Sequence, residues 1–273
     1  MKTPNKKALE AAAKGKPTGK QLAARPANQI QKSSPATAAR GFENVERKDI
    51  LIPRIQLLQM MSPAVTEGTA KPGTMHVGLS NMNYGDKIVI TPIMHFRSRI
   101  KWVPQDDGGG IECSSPDARK PLSDLISAEC GNCACKDWDE SKKGKDKAPS
   151  CTMYENFLVL INDSVEPVLL PMERTKLKTA KKLYSMGALK NADMWMWQYQ
   201  LGVSKEKNDK DQPYFNYTIT DLAKQTKEDR AALCEQIWTS LSKKTIITDM
   251  QNDDELGAAK PAAAQTTDDD GKF

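Results

Sequence analysis

The order of strand and helix signals in the middle of the chain limits its fold most strongly. Residues 87–103 are rich in β-branched side chains and predict one long strand, with a bulge or an edge position at Pro92. A polar segment, 104–152, then interrupts the pattern. Strand signals return at 154–161 and 165–170, and the turn residues between them predict a hairpin.

A helix and two further strands follow the predicted hairpin. The remaining predicted elements are helix 172–187, strand 194–201, charged loop 204–212, strand 214–219 and a final helix capped by Asp221. Five strands with a helix between the third and the fourth is the order of an OB-fold, a small, partly open barrel. We therefore expect a mainly β fold with helices (α+β).

This fold assigns a role to the two long loops. In an OB-fold the loops between strands one and two and between strands four and five flank the oligonucleotide groove. Here those loops are 104–152 and 204–212. The predicted domain spans 42–248, between a disordered arm at 1–41 and a disordered tail at 249–273.

The polar insertion carries a cysteine cluster that predicts a metal site. A two-residue spacing, as between Cys130 and Cys133, can place two sulfurs on one tetrahedral ion, and Cys113 and Cys151 bracket that pair. Thiolates suit zinc, and a short polar segment without a core would gain folding energy from it. The expected Zn²⁺ ligands of this zinc-ribbon-like insertion are these four, with Cys135 as the alternative to Cys130 or Cys133. Free thiols and an iron–sulfur cluster are the other interpretations.

Charge is distributed unevenly along the chain. Residues 1–40 hold nine Lys or Arg and one acid, whereas 249–273 hold seven acids and two lysines. A basic arm and an acidic tail are typical of a protein that binds a polyanion and also recruits a partner.

Cations and aromatic residues in the predicted strands are candidates for nucleic-acid contacts. Arg97, Arg99 and Lys101 alternate and therefore share one strand face, which could present cations to phosphates. Aromatic residues could stack on bases, although each could equally fill the core, and the basic helix residues could be a solvated face. The other candidates are Trp102, Trp138, Arg174, Lys178, Trp195, Trp197, Tyr199, Tyr214 and Phe215.

Several function classes lack support in the sequence. We find no phosphate-binding loop, no Ser/His/Asp set and only two histidines, which we interpret as ordinary residues, so no enzyme is predicted. The longest apolar run, 157–161, is far too short for a membrane span. The N-terminus has no apolar signal segment, which predicts a cytoplasmic protein.

Two resemblances to known families concern single-stranded DNA. The end of the chain, with Asp268, Asp269, Asp270 and Phe273, resembles the acidic, Phe-terminated tails of bacterial and phage single-stranded-DNA-binding proteins. That resemblance implies that the tail binds replication or recombination proteins through an apolar pocket with a basic rim.

The second resemblance covers roughly residues 49–220. The matching segments are 49–59, 110–117, 130–138, 149–151 and 154–160. In this order they are similar to single-stranded-DNA-binding proteins of tailed phages, and a zinc-stapled OB-fold is similar to the helix-destabilising proteins of large contractile-tailed phages. The resemblance implies a role in phage DNA replication or recombination, in the cytoplasm of the host cell.

The predicted function is therefore sequence-tolerant binding and protection of single-stranded DNA, with partner recruitment through the tail. The alternatives are a zinc-ribbon transcription regulator and a phage recombination nuclease or annealase. The regulator would prefer duplex DNA, whereas the nuclease would cleave DNA in a metal-dependent way.

Overall fold

The protein is built on two antiparallel sheets in a computed structural model that describes residues 52–104, 107–123, 125–141 and 147–242. The described residues belong to Arg47–Phe273, the second of two units into which the chain divides. The predicted arm at 1–41 and tail at 249–273 lie outside the described residues.

Nine strands and three α-helices are present in the described part of the chain. The strands are β1 (Ile55–Leu57), β2 (Met75–Val77), β3 (Met82–Asn83), β4 (Lys87–Trp102), β5 (Ile111–Ser115), β6 (Cys151–Ile161), β7 (Pro167–Glu173), β8 (Trp197–Lys207) and β9 (Pro213–Gln225). The helices are α1 (Pro63–Thr66), α2 (Leu177–Leu189) and α3 (Glu228–Leu241).

The larger sheet has the strand order β7-β6-β4-β8-β9, and β5 also pairs with β4. The long strand β4 organises this sheet, since it pairs with β6 along most of its length. Its register shifts between Pro92 and Met94, as expected for a proline that has no N–H to donate to the ladder. The small sheet has the order β1-β2-β3.

The segment at 53–59 lies between the two outer strands of the large sheet. The Leu169 N–H of β7 donates to the Pro53 carbonyl over 2.8 Å. On the other side, the Gln59 side chain accepts from the Phe215 N–H over 2.8 Å and donates to the Phe215 carbonyl over 3.0 Å. This segment therefore bridges β7 and β9, which do not pair with each other within the described residues.

Alternation along the strands separates two apolar clusters. Phe157, Val159 and Ile161 of β6 belong to the main core, which α2 covers with Ala180 and Leu183. The side chains between them on β6 point to the opposite face. There Leu158 and Leu160 pack with Cys234 of α3.

The prediction of a mainly β protein with helices is confirmed, but neither sheet closes into a barrel within the described residues. The predicted helix 172–187 begins only at Leu177, because the chain up to Glu173 pairs with β6. The charged loop shrinks to 208–212, because β8 continues to Lys207 and β9 begins at Pro213.

The cap assigned to Asp221 was wrong. Asp221 lies within β9, where its carboxylate accepts a bond from Lys190 over 2.8 Å, and α3 begins later, at Glu228. The predicted strand at 194–201 was also placed too early. Residues Met194–Met196 form a 3₁₀ turn before β8 begins at Trp197. No helix in the described ranges has the length and apolarity that a membrane span requires.

Candidate nucleic-acid groove and cysteine cavity

One face of β4 carries a row of cations toward its C-terminal end. Arg97, Arg99 and Lys101 alternate without interruption, and they pair in register with Glu155, Met153 and Cys151 of β6. This is the same face on which Phe157 enters the main core, because cross-strand partners share a face. The face thus changes from apolar to cationic along the strand.

A groove of about 970 Å³ lies beside the middle of β4. On the edge away from β6, β8 pairs with β4 only at 87–90 and β5 only at 99–102. Within the described residues no strand pairs with the edge at 91–98. The groove opens there, between β4, the turn Met194–Met196 and the ends of α2 and α3.

Aromatic rings form two walls of this groove. On one side, the rings of Trp195 and Trp238 lie 5.8 Å apart, tilted by 45°. Trp195 is only 9% exposed, whereas Trp238 is 41% exposed. On the other side, His95 contacts Tyr184 with ring centroids 5.6 Å apart. The groove can therefore accept a flat ring, and Trp238 offers the accessible surface.

A buried carboxylate organises the cations at the groove. Glu155 is 2% exposed, and one of its oxygens lies 2.5 Å from His95 Nε2. Arg97 donates its Nε–H to the same carboxylate over 3.0 Å. Within the described residues the Arg97 Nη atoms have no acceptor, and the side chain is half exposed at the groove. A charge buried this deeply needs such partners.

The predicted metal ligands line a second, much smaller cavity. Its volume is about 20 Å³, and the five clustered cysteines share it with Arg99 and Lys101 of the β4 row. The cysteines are Cys113, Cys130, Cys133, Cys135 and Cys151. Five cysteines from Cys113 to Cys151 thus meet at one point on the cationic face.

Sheet register and local hydrogen bonds bring these cysteines together. Lys101 pairs with Cys113 of β5 on one side and with Cys151 of β6 on the other. The Cys130 N–H donates to the Arg119 carbonyl over 2.8 Å, which ties the Cys130 turn to the chain after β5. Lys101 Nζ is 2.9 Å from a Glu112 carboxylate oxygen, and this hydrogen bond raises the pKa of the lysine.

Burial is the main cause that raises the pKa of the Cys113 and Cys151 thiols, and neighbouring cysteines add to the effect. Among the described residues, however, no three His, Cys, Asp or Glu side chains form a group that could hold a metal ion. The register separates two of the predicted ligands, since Cys113 and Cys151 lie on strands that flank β4 and are therefore about 10 Å apart. The predicted ligands share a cavity without forming a coordination group.

The structure brings only some of the other predicted contacts to the groove. Tyr199 is 1% exposed and belongs to the main core, so it cannot stack on a base. Trp197 packs against that core, and Lys190 Nζ lies 3.7 Å from its ring centroid. Of Trp195, Trp197 and Tyr199, only Trp195 lines the groove. The three aromatics of the predicted strand 194–201 do not share one strand face, because Trp195 precedes β8 and packs with α3.

The remaining candidates lie elsewhere. Trp102 donates its Nε1–H to the Tyr154 hydroxyl over 3.3 Å, and Phe215 packs on Gly73, where a Cβ would lie 2.7 Å from the ring. The Tyr214 hydroxyl donates to Glu206 over 2.6 Å. Trp138, Arg174 and Lys178 are exposed and do not line the groove.

Sequence reasoning missed His95 and Trp238, which line the groove, and Glu155, the buried carboxylate behind it. His95 continues the alternation of Arg97 and Arg99, and this spacing could have placed it on the same strand face. Glu155 is a lone acid in an apolar strand, and such a residue needs a cationic partner. Trp238 offered no signal, since the sequence does not show that α3 ends beside β4.

Comparison with known proteins assigns a family. A model of the Pam3 phage gp34-like protein family matches residues 19–247. The chain belongs to this family. No curated protein and no solved structure matches it. The family description names a phage and no activity, so membership supports a phage origin and carries no function.

Proposed function

We propose that the protein binds single-stranded DNA without catalysis, in phage DNA replication or recombination. The observation that carries the proposal is the surface along β4. Arg97 lines a groove with two tryptophans, and Arg99 and Lys101 continue the same row beside the cysteine cavity. Cations neutralise phosphates, and exposed rings stack on bases regardless of sequence. Together they form a concave, sequence-tolerant track.

We also infer that the large sheet is an opened OB barrel. If β4, β6, β7, β8 and β9 are counted as strands one to five, the order across the sheet is three, two, one, four, five. In an OB-fold the first strand also pairs with the second and the fourth, and closure joins the third to the fifth. Here the segment at 53–59 occupies that gap through its bonds to β7 and β9.

A zinc ion in the cysteine cavity belongs to the proposal. The donor chemistry supports it, since five thiols surround a space about the size of one ion. Cys113, Cys130, Cys133 and Cys151 would hold the ion, once their sulfurs draw together around it. Bound zinc would cross-link β5, β6 and the segment between them, which is the zinc-ribbon role predicted for the insertion.

The acidic tail supplies the proposed partner contact. Deletion of 266–273 should leave affinity for single-stranded DNA unchanged or raise it, because the acids compete with DNA for cations. The same deletion should abolish binding to replication or recombination proteins of the host or the phage. Titrations of the full and shortened chains measure both effects, and a large loss of DNA affinity would contradict the assignment.

The direct test is a titration of tryptophan fluorescence with oligo(dT) and with a duplex of equal length. The proposal predicts quenching by oligo(dT) and much weaker binding of the duplex. Equal affinity for the duplex would favour the transcription-regulator alternative. Metal-dependent cleavage of either DNA would favour the nuclease.

A further inference from the structure

We infer that the groove beside β4 is a binding site for one unpaired nucleotide, with the base on Trp238 and the phosphate on Arg97. This inference rests on the proposed function and deepens it. Trp238 was no candidate from the sequence, and its place at the groove comes from the packing of α3. The site has a ring wall, a rim cation and a buried group that fixes the cation.

The base half of the site depends on exposure. Trp195 and Trp238 are in contact, but Trp195 is only 9% exposed and serves as the buried backing of the pair. Trp238 keeps 41% of its surface accessible and lines the groove. A ring supported from behind loses little freedom when a base stacks on its open face.

The phosphate half depends on the Arg97–Glu155 bond. Since Nε of Arg97 is held by the buried carboxylate, the guanidinium orientation is fixed and both Nη atoms remain available for an anion. His95 contacts the same Glu155 carboxylate and lines the groove together with Arg97. Glu155 is thus a positioning residue that acts through Arg97.

Two other charges restrict how a strand can enter. Asp193 and Glu235 also line the groove, and both are exposed carboxylates. They disfavour a phosphate on their side, so the backbone is confined to the Arg97 side and the base points inward. A paired base cannot leave its stack in this way without disruption of the duplex, and the site therefore favours single strands.

Anisotropy of labelled oligo(dT) on the full chain tests the base half. Trp238→Leu should reduce affinity between about 5-fold and about 150-fold, which corresponds to the loss of one stacked base. Trp238→Phe should retain most of the affinity, and Gln236→Leu, an exposed neighbour on α3, should not change it. If Trp238→Leu binds as tightly as the wild type, the inference is wrong while single-strand binding stands. If the wild type does not bind, the proposed function itself fails.

Two further measurements complete the test. The first uses the wild type and therefore holds even if Trp238→Leu fails to fold, and the second tests the phosphate half of the site. Ultraviolet cross-linking of the wild type to oligo(dT) should give an adduct on Trp238, and adducts only outside α3 would overturn the inference. Glu155→Gln should make the salt dependence of binding shallower by about 0.7 in the log–log slope, the value for one phosphate contact. An unchanged slope would show that Glu155 does not position Arg97.

Discussion

The body of the sheet and the cysteine segment at 107–151 differ in what holds them together. In the body, β6 buries every side chain from Tyr154 to Ile161, and two helices cover its faces. In the cysteine segment the large apolar side chains Leu122 and Leu125 are exposed. Its fixed points are hydrogen bonds and a cavity lined by thiols. Apolar burial thus accounts for the body, whereas the segment depends on polar bonds and, in our proposal, on zinc.

The largest expected effect is on the stability of the body. Phe157 is completely buried in the main core, so Phe157→Ala should lower the free energy of unfolding by about 3–5 kcal/mol. Leu125→Ala, in the cysteine segment, is the matched control. Leu125 is 88% exposed, and its loss should change stability by less than about 0.5 kcal/mol. Urea unfolding measures both variants. Similar losses of unfolding free energy would contradict the claim that apolar burial stabilises the body but not the cysteine segment.

The next effect concerns the cysteine segment alone. Cys133→Ser should abolish the zinc content of the purified protein and increase hydrogen exchange across 107–151, while exchange in β8 and in the buried part of β6, from Tyr154 to Ile161, stays unchanged. Cys234→Ala is the control, because Cys234 is a buried residue of α3 and lies outside the cavity. Atomic emission that gives equal zinc for Cys133→Ser and the wild type would exclude Cys133 as a ligand.

The smallest effect is a pH dependence in the body. The hydrogen bond from Lys190 holds the pKa of Asp221 below its usual range. The pair therefore contributes stability above the unfolded pKa of about 3.9, and that contribution is lost as pH falls through the lower folded pKa. Asp221→Asn should remove this acid-sensitive part, which is below about 1 kcal/mol for a partly exposed pair.

Urea unfolding at neutral and acidic pH measures the effect, as the difference between the wild type and the variant. An identical pH dependence in the two proteins would show that the Asp221–Lys190 pair contributes nothing measurable.

The strands of the body were predictable from the sequence because alternation and β-branched residues determine them locally. The bulge at Pro92 and the hairpin of β6 and β7 followed from the same rules. Helix boundaries were harder. Residues near Met172 carry a helical pattern, yet they pair with β6, since tertiary pairing outweighs local propensity.

The candidate site was predictable only in part. Alternation placed Arg97, Arg99 and Lys101 on one face, and cysteine spacing identified the residues that line the cavity. The groove depends on contacts between β4 and α3, which are about 140 residues apart in the chain, and no local pattern reports such a contact. For the same reason the sequence did not distinguish Tyr199, which is completely buried, from Trp195, which lines the groove.

The salt dependence of oligo(dT) binding tests the central claim most directly. In a log–log plot of the dissociation constant against salt, replacement of Arg97, Arg99 and Lys101 by Gln should reduce the slope by about 2, since each phosphate contact contributes about 0.7. Lys71→Gln, an exposed lysine away from the groove, should leave the slope unchanged. An equal slope for the triple variant and the wild type would contradict the claim that the β4 face binds DNA.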